Sequence, residues 1–245
     1  MNLWTSLHPS HPDNCIIISP GVHHVIIKGF TLNGGAKNGI LLGAGTHDIV
    51  IENNDISAWG DGSNYQAAVF STYHGRAYIF HNTILQPEAA SKTYTLGCDG
   101  GVLASGGKYY ETISRNNIFT NYRDWHKTIQ DLTDGSTNDF DYDLYMGLIL
   151  AGTENHGLNS EPIYSSENGP GEFALQPGSS GFDAGVIIPN FNDDDEGAAP
   201  DIGAYEYGQN PMEFGVDAYL NDFYLSKQSV GDIKSPLPFI FIKSV

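Results

Sequence analysis

The chain is poor in positive charge. Its 11 Lys and Arg stand against 29 Asp and Glu in 245 residues, a formal charge of −18. Nucleic acid is therefore not expected as a partner, because phosphate binding needs clustered basic side chains. Charged residues of both signs make up only 16 %, which excludes the Ala-, Glu- and Lys-rich composition of a coiled coil or long helical bundle. No apolar run approaches the ~18 residues of a membrane-spanning helix. The opening Met1-Asn2-Leu3-Trp4 carries neither a basic n-region nor an apolar h-region. The expectation is either a cytoplasmic chain or one whose precursor began further upstream. Two cysteines, Cys15 and Cys98, are too few to decide the redox compartment. What is present is a hydrophobic fraction of 40 %, enough for a core, together with 29 Gly and 14 Tyr.

Internal repetition is the main signal. Four segments share one short pattern: Val25–Leu32, Ile49–Ile56, Ala77–Ile84 and Glu111–Ile118. In each, an apolar anchor is followed five positions later by Leu or Ile. The anchors Ile27, Ile51, Ile79 and Ile113 are 24, 28 and 34 residues apart. Three copies place Asn at the third position after the anchor: Asn54, Asn82 and Asn116. A fifth, degenerate copy is Phe140–Tyr145. A second strand set, Cys15–Ser19, Gly39–Leu42, Ala67–Ser71 and Gly101–Ser105, sits at matching places, with Thr128-Ile129-Gln130 as a later member.

Steps of this size fit turns of a parallel β-solenoid in which neighbours bury a shared core that one turn cannot bury alone. Each turn reads as a strand, a Gly-rich turn, a second strand, an Asn corner, a short third strand and a loop of variable length. The expectation is that Asn54, Asn82 and Asn116 stack in one column, where an amide can donate and accept along the stack. In that arrangement Cys15 and Cys98 lie three turns, about 14 Å, apart at ~4.8 Å per strand. That exceeds disulfide reach unless the Cys98 loop folds back over the earlier turns.

These residues resemble the right-handed parallel β-helix superfamily, the pectate-lyase-like fold. The likeness covers roughly residues 12–150. A second likeness is the succession Asn155–Ile163, Phe173–Ser179, Phe182–Gly185 and Pro200–Tyr207, which is similar to the end module of secreted bacterial β-helix proteins. The resemblance implies an all-β fold of about five turns over 1–150, an end module over 151–207 and an irregular tail over 208–245. It also implies a secreted or extracellular protein acting on polysaccharide in a groove along the stack. Family members usually have more turns and an N-terminal cap, so the expectation is a chain truncated at its start or capped by residues 1–13.

Candidate chemistry falls on loops and turns. The longer steps contain Trp59, Asp61 and Tyr65, then Tyr94 and Asp99, then Arg123, Asp124, Trp125 and His126. Aromatic faces stack on sugar rings, and loops on a rigid scaffold carry sites. The turns after the first strand add His74, Arg76 and Lys108. A lyase acting on a uronic acid polymer needs a cation to neutralise the carboxylate, a base for the adjacent proton and an acid for the leaving oxygen. Arg76 fits the first role, and Lys108 or His74 the second. A hydrolase would instead pair carboxylates, with Asp61 and Asp99 as the candidates and Asp124 as a third. The paired-Asp and Gly-His-Gly signatures of polygalacturonase-like hydrolases are missing, which favours elimination. The run Asp193-Asp194-Asp195 offers oxygen ligands for Ca²⁺ without the spacing of an EF-hand loop. His23-His24 and the pair His8 and His11 match no zinc spacing with Cys. The alternative to an enzyme is a non-catalytic glycan-binding or surface-structural solenoid. The oligomeric state is left open.

Overall fold

The computed structural model describes residues 14–33, 37–57, 67–71, 75–86, 102–104, 111–121, 129–130, 137–147, 149, 154–165, 173–192, 195 and 197–209. They all belong to one compact unit. Among them there is no helix, and so none long and apolar enough to cross a membrane.

The strands come in threes. The first three are β1 (Asn14–Ile18), β2 (His23–Lys28) and β3 (Thr31–Asn33). Next are β4 (Asn38–Leu42), β5 (His47–Glu52) and β6 (Asp55–Ser57), then β7 (Val69–Ser71), β8 (Ala77–Phe80) and β9 (Thr83–Gln86). The series continues with β10 (Val102–Ala104), β11 (Thr112–Arg115) and β12 (Ile118–Asn121), then β13 (Ile129–Gln130), β14 (Asp139–Phe140) and β15 (Leu144–Met146), and ends on β16 (Leu158–Asn159). Three sheets result, with orders β1-β4-β7-β10-β13, β2-β5-β8-β11-β14 and β3-β6-β9-β12-β15-β16. Every ladder between them is parallel. The chain thus visits the three sheets in rotation, and each strand up to β12 pairs with the one three places on. Both strand sets read from the sequence lie where expected, one in the first sheet and one in the second.

Inward positions build the core. Ile27 pairs with Ile51 and Ile51 with Ile79 along the second sheet, and all three are buried. In the first sheet buried Ile18 pairs with Leu42 and Ile40 with Val69, and in the third Leu32 pairs with Ile56 and Ile56 with Ile84. Each fully buried Ile or Leu contributes about 1.5–3 kcal/mol relative to exposure.

The asparagine column differs from the expectation by one residue. Phe30 N donates to Asn54 Oδ1 at 2.9 Å. Asn54 N and Nδ2 donate to Asn82 Oδ1 at 3.1 and 2.9 Å. Asn82 N and Nδ2 donate to Asn117 Oδ1, both at 2.9 Å. Asn117 N and Nδ2 donate to Asp143 Oδ1 at 2.7 and 2.9 Å. Asn117, not Asn116, therefore continues the column. The physical reason is in β11. Ile79 pairs with Ser114, and Ser114 with Phe140. The inward residues of β11 are Thr112 and Ser114, both fully buried, while Ile113 sits on the outward side. Two buried hydroxyls occupy the places that the hydrophobic pattern reserved for an apolar anchor, and anchoring on Ile113 shifts the count by one.

Asn116 belongs to the adjoining corner column of Gly29, Asn53, His81, Asn116 and Tyr142. All five have positive φ, from 51 to 72°, a region where Asn is tolerated better than most side chains. Residues within 183–192 and 197–207 run along this column. Asn53 Nδ2 donates to Ala204 O at 3.3 Å, and Gly203 N donates to Asn116 O at 2.8 Å. Asn116 Nδ2 donates to Val186 O, and Val186 N returns a bond to Asn116 Oδ1. Gly203 has φ 113°, and a Cβ there would lie 2.7 Å from Ile118 Cδ1, so the close approach requires glycine.

Candidate functional site

Of the residues expected to carry chemistry, Arg76 and Asp195 are described. Asp61, His74, Asp99 and Lys108 lie outside the described residues. So do Trp59, Tyr65, Tyr94, Arg123, Asp124, Trp125 and His126, and likewise Asp193 and Asp194. Asp195 is half-buried.

Arg76 stands just before β8, at the corner where the chain passes from the first sheet to the second. Its Nε donates to Asp48 Oδ1 at 2.6 Å. Asp48 is the neighbouring rung, since Ile49 pairs with Ala77. On the other oxygen, His47 Nδ1 lies 2.9 Å from Asp48 Oδ2, and His24 Nε2 lies 3.6 Å from the same atom. His23 closes the group. Its ring stacks on His47 with centroids 4.7 Å apart and planes 14° apart, and its Nδ1 lies 2.6 Å from His24 Nδ1. Three imidazoles, a carboxylate and a guanidinium thus occupy one exposed corner.

Register explains the gathering. His23 pairs with His47, so the two His-initiated segments, 24 residues apart, lie side by side. His24 and Asp48 have φ of 58 and 53°, which turns both side chains at the same corner. The next rungs are Arg76 and Glu111, so the corner runs His24, Asp48, Arg76, Glu111 with carboxylates alternating with nitrogen bases. The Arg76 hydrogen bond, followed by that of His47, pulls the Asp48 carboxyl down to about 2, and Asp48 in turn raises the Arg76 guanidinium. The carboxylate is ionised and the guanidinium charged at any ordinary pH. Arg76 makes no bond through its terminal nitrogens among the described residues.

Beside the corner, the outer face of the second sheet carries Ile26, Val50, Tyr78 and Ile113 on successive rungs. Ile26 is 64 % exposed. This apolar row with one phenol is bordered on its far side by Lys28 and Glu52, which form an ion pair. Phe80 on that far side packs against Phe191 with centroids 5.0 Å apart. The arrangement is a shallow strip with a floor that can take a sugar face and a cation at one edge.

Two other clusters are structural. His156 Nδ1 lies 2.7 Å from Asp141 Oδ2, with the His156 ring stacked on Tyr142, and Asp141 also accepts the backbone N–H of His156 and Tyr142. Nearby, Arg115 Nη1 donates to the Ser114 and Asp139 carbonyls and Nη2 to the Asp139 carboxylate. Asp183, Asp201 and Glu206 likewise accept backbone N–H groups of the loop that they brace.

Sequence reasoning missed His47 and Asp48 and left His23 and His24 without a role. The signal was there: the 24-residue step between Ile27 and Ile51 carries His23-His24 onto His47-Asp48. Zinc-ligand spacing is a pattern along the chain, whereas these donors meet across a ladder. In comparisons with known proteins, the chain matches no family model, no curated protein and no solved structure.

Proposed function

We propose that the three parallel sheets are the faces of one right-handed parallel β-helix, and that this extracellular protein cleaves an acidic polysaccharide by β-elimination at the Arg76 corner. The observation that carries the reading is the exposed Arg76 guanidinium sharing Asp48 with two imidazoles, those of His24 and His47. A uronate carboxylate is neutralised by the terminal nitrogens of Arg76, and a neighbouring imidazole takes the proton on the adjacent carbon. The C–H electron pair forms the new double bond as the glycosidic C–O bond breaks, and water protonates the leaving oxygen. Tyr78 and its apolar neighbours supply a surface for the ring. Rotation of the chain through three sheets, with the Asn column at one corner, supports the β-helix. His24 and His47 are the proposed bases because, among the described residues, they share Asp48 with Arg76; His74 and Lys108 lie outside the described residues.

The test is product chemistry. Incubation with a panel of uronic-acid glycans gives ultraviolet-absorbing unsaturated ends, and Arg76→Gln lowers that rate by about 10²–10³-fold, the usual cost of losing one charge-stabilising donor. Reducing sugar without unsaturation assigns hydrolysis instead. One observation favours a second reading, non-catalytic glycan binding: Asp48 already engages Arg76. That reading requires saturable binding with silence in both assays.

A further inference from the structure

We propose that His24, His47 and Asp48 form a binding site for a divalent transition cation of the zinc class. Their donor atoms, one from each residue, all lie within 4.8 Å of one another. Two of the separations are 2.9 and 3.6 Å, both to Asp48 Oδ2. Donors around a tetrahedral zinc with bonds near 2.0–2.1 Å stand about 3.3 Å apart, so small side-chain adjustments bring the set to bonding distance.

The surroundings orient the donors as an outer shell does. Arg76 holds Asp48 Oδ1, which leaves Oδ2 toward the imidazoles. His23 engages Nδ1 of His24, which leaves Nε2 on the Asp48 side. All of these residues sit on or against adjacent rungs of one parallel ladder, so the backbone fixes their spacing. Two nitrogens and one oxygen suit Zn²⁺ and its neighbours rather than Ca²⁺, which prefers oxygen alone. Three protein donors at an exposed corner leave a fourth position to water or to a ligand, the pattern of open rather than closed zinc sites. The charge of −18 over the chain favours cation approach, and the Arg76 charge that opposes it is balanced by Asp48 and Glu111.

The same imidazoles act as the proposed base only in the metal-free chain, so Zn²⁺ uptake is measured without substrate and bound Zn²⁺ should inhibit any elimination. The full chain, stripped with chelator, is titrated with Zn²⁺ by calorimetry. One equivalent binds, and Asp48→Asn and His47→Ala each weaken it by at least tenfold, while His156→Ala leaves it unchanged. Asn at 48 keeps the positive φ accessible, so that variant carries the test even if His47→Ala does not fold. Co²⁺ in place of Zn²⁺ gives the visible absorption of tetrahedral nitrogen and oxygen ligation. No Zn²⁺ uptake, or uptake that both variants leave intact, overturns the proposal. Zn²⁺ uptake by a chain that gives no unsaturated product, lost in both variants, upholds this site while overturning the polysaccharide reading, so the two fail separately.

Discussion

His81 occupies a corner position where Asn53 and Asn116 stand on the neighbouring rungs, and it is buried. Its Nδ1 donates to Gly203 O, and its Nε2 accepts from the side-chain amides of Asn116 and Asn192. That bonding describes a neutral ring. Burial drives its pKa down to about 4, against the weaker effect of the Gly203 carbonyl. A folded value below the unfolded one means stability that is present above about pH 6.5 and is lost as pH falls toward 4. At about 1.4 kcal/mol per pKa unit, the loss is on the order of 3 kcal/mol. Glu154 acts in the opposite sense. Burial first, and the Asp143 charge second, raise its carboxyl, and Asp143 is itself raised by burial. Folded values above the unfolded ones mean stability that is present in acid and is lost as pH rises through neutrality. Melting temperature should therefore pass through a maximum in mildly acid buffer. His81→Asn, which keeps the positive φ accessible, should flatten the acid limb. Glu154→Gln should flatten the alkaline limb. Thermal melts from pH 4 to 9 measure both, with about 2–4 °C expected per kcal/mol in a chain of this size.

Among the elements, the corner column does what no strand can do alone. Each Asn Nδ2 also donates to a backbone carbonyl one rung back: Ile27 O for Asn54, Ile51 O for Asn82 and Ile79 O for Asn117. Removing one amide leaves buried donors and acceptors on three rungs without partners, at about 1–3 kcal/mol for each group. Asn82→Ala should cost at least about 3 kcal/mol, seen as a melting temperature about 6–12 °C lower. The element pattern was largely legible in the sequence, because apolar anchors and corner amides recur where backbone geometry demands them. It was misread where Thr112 and Ser114 face inward. There the hydroxyl of Ser114 donates to Asp143 and accepts from Asn117. A polar column replaces apolar packing, and hydrophobic periodicity cannot register that.

At the scale of the whole molecule, proximity across rungs decides what chemistry is available. Arg76 was found from the sequence as a scarce cation in an acidic chain. Its partners were not, because His47 and Asp48 become neighbours only through the ladder that joins β2, β5 and β8. The stacked register on which the proposed β-helix rests makes one direct prediction. In a nuclear Overhauser spectrum of the full chain, the side-chain amide protons of Asn82 should show contacts to those of both Asn54 and Asn117, which are 28 and 35 residues away. Contacts from Asn82 to the Asn116 amide instead, or to neither rung, would contradict the stacked winding on which the corner site depends.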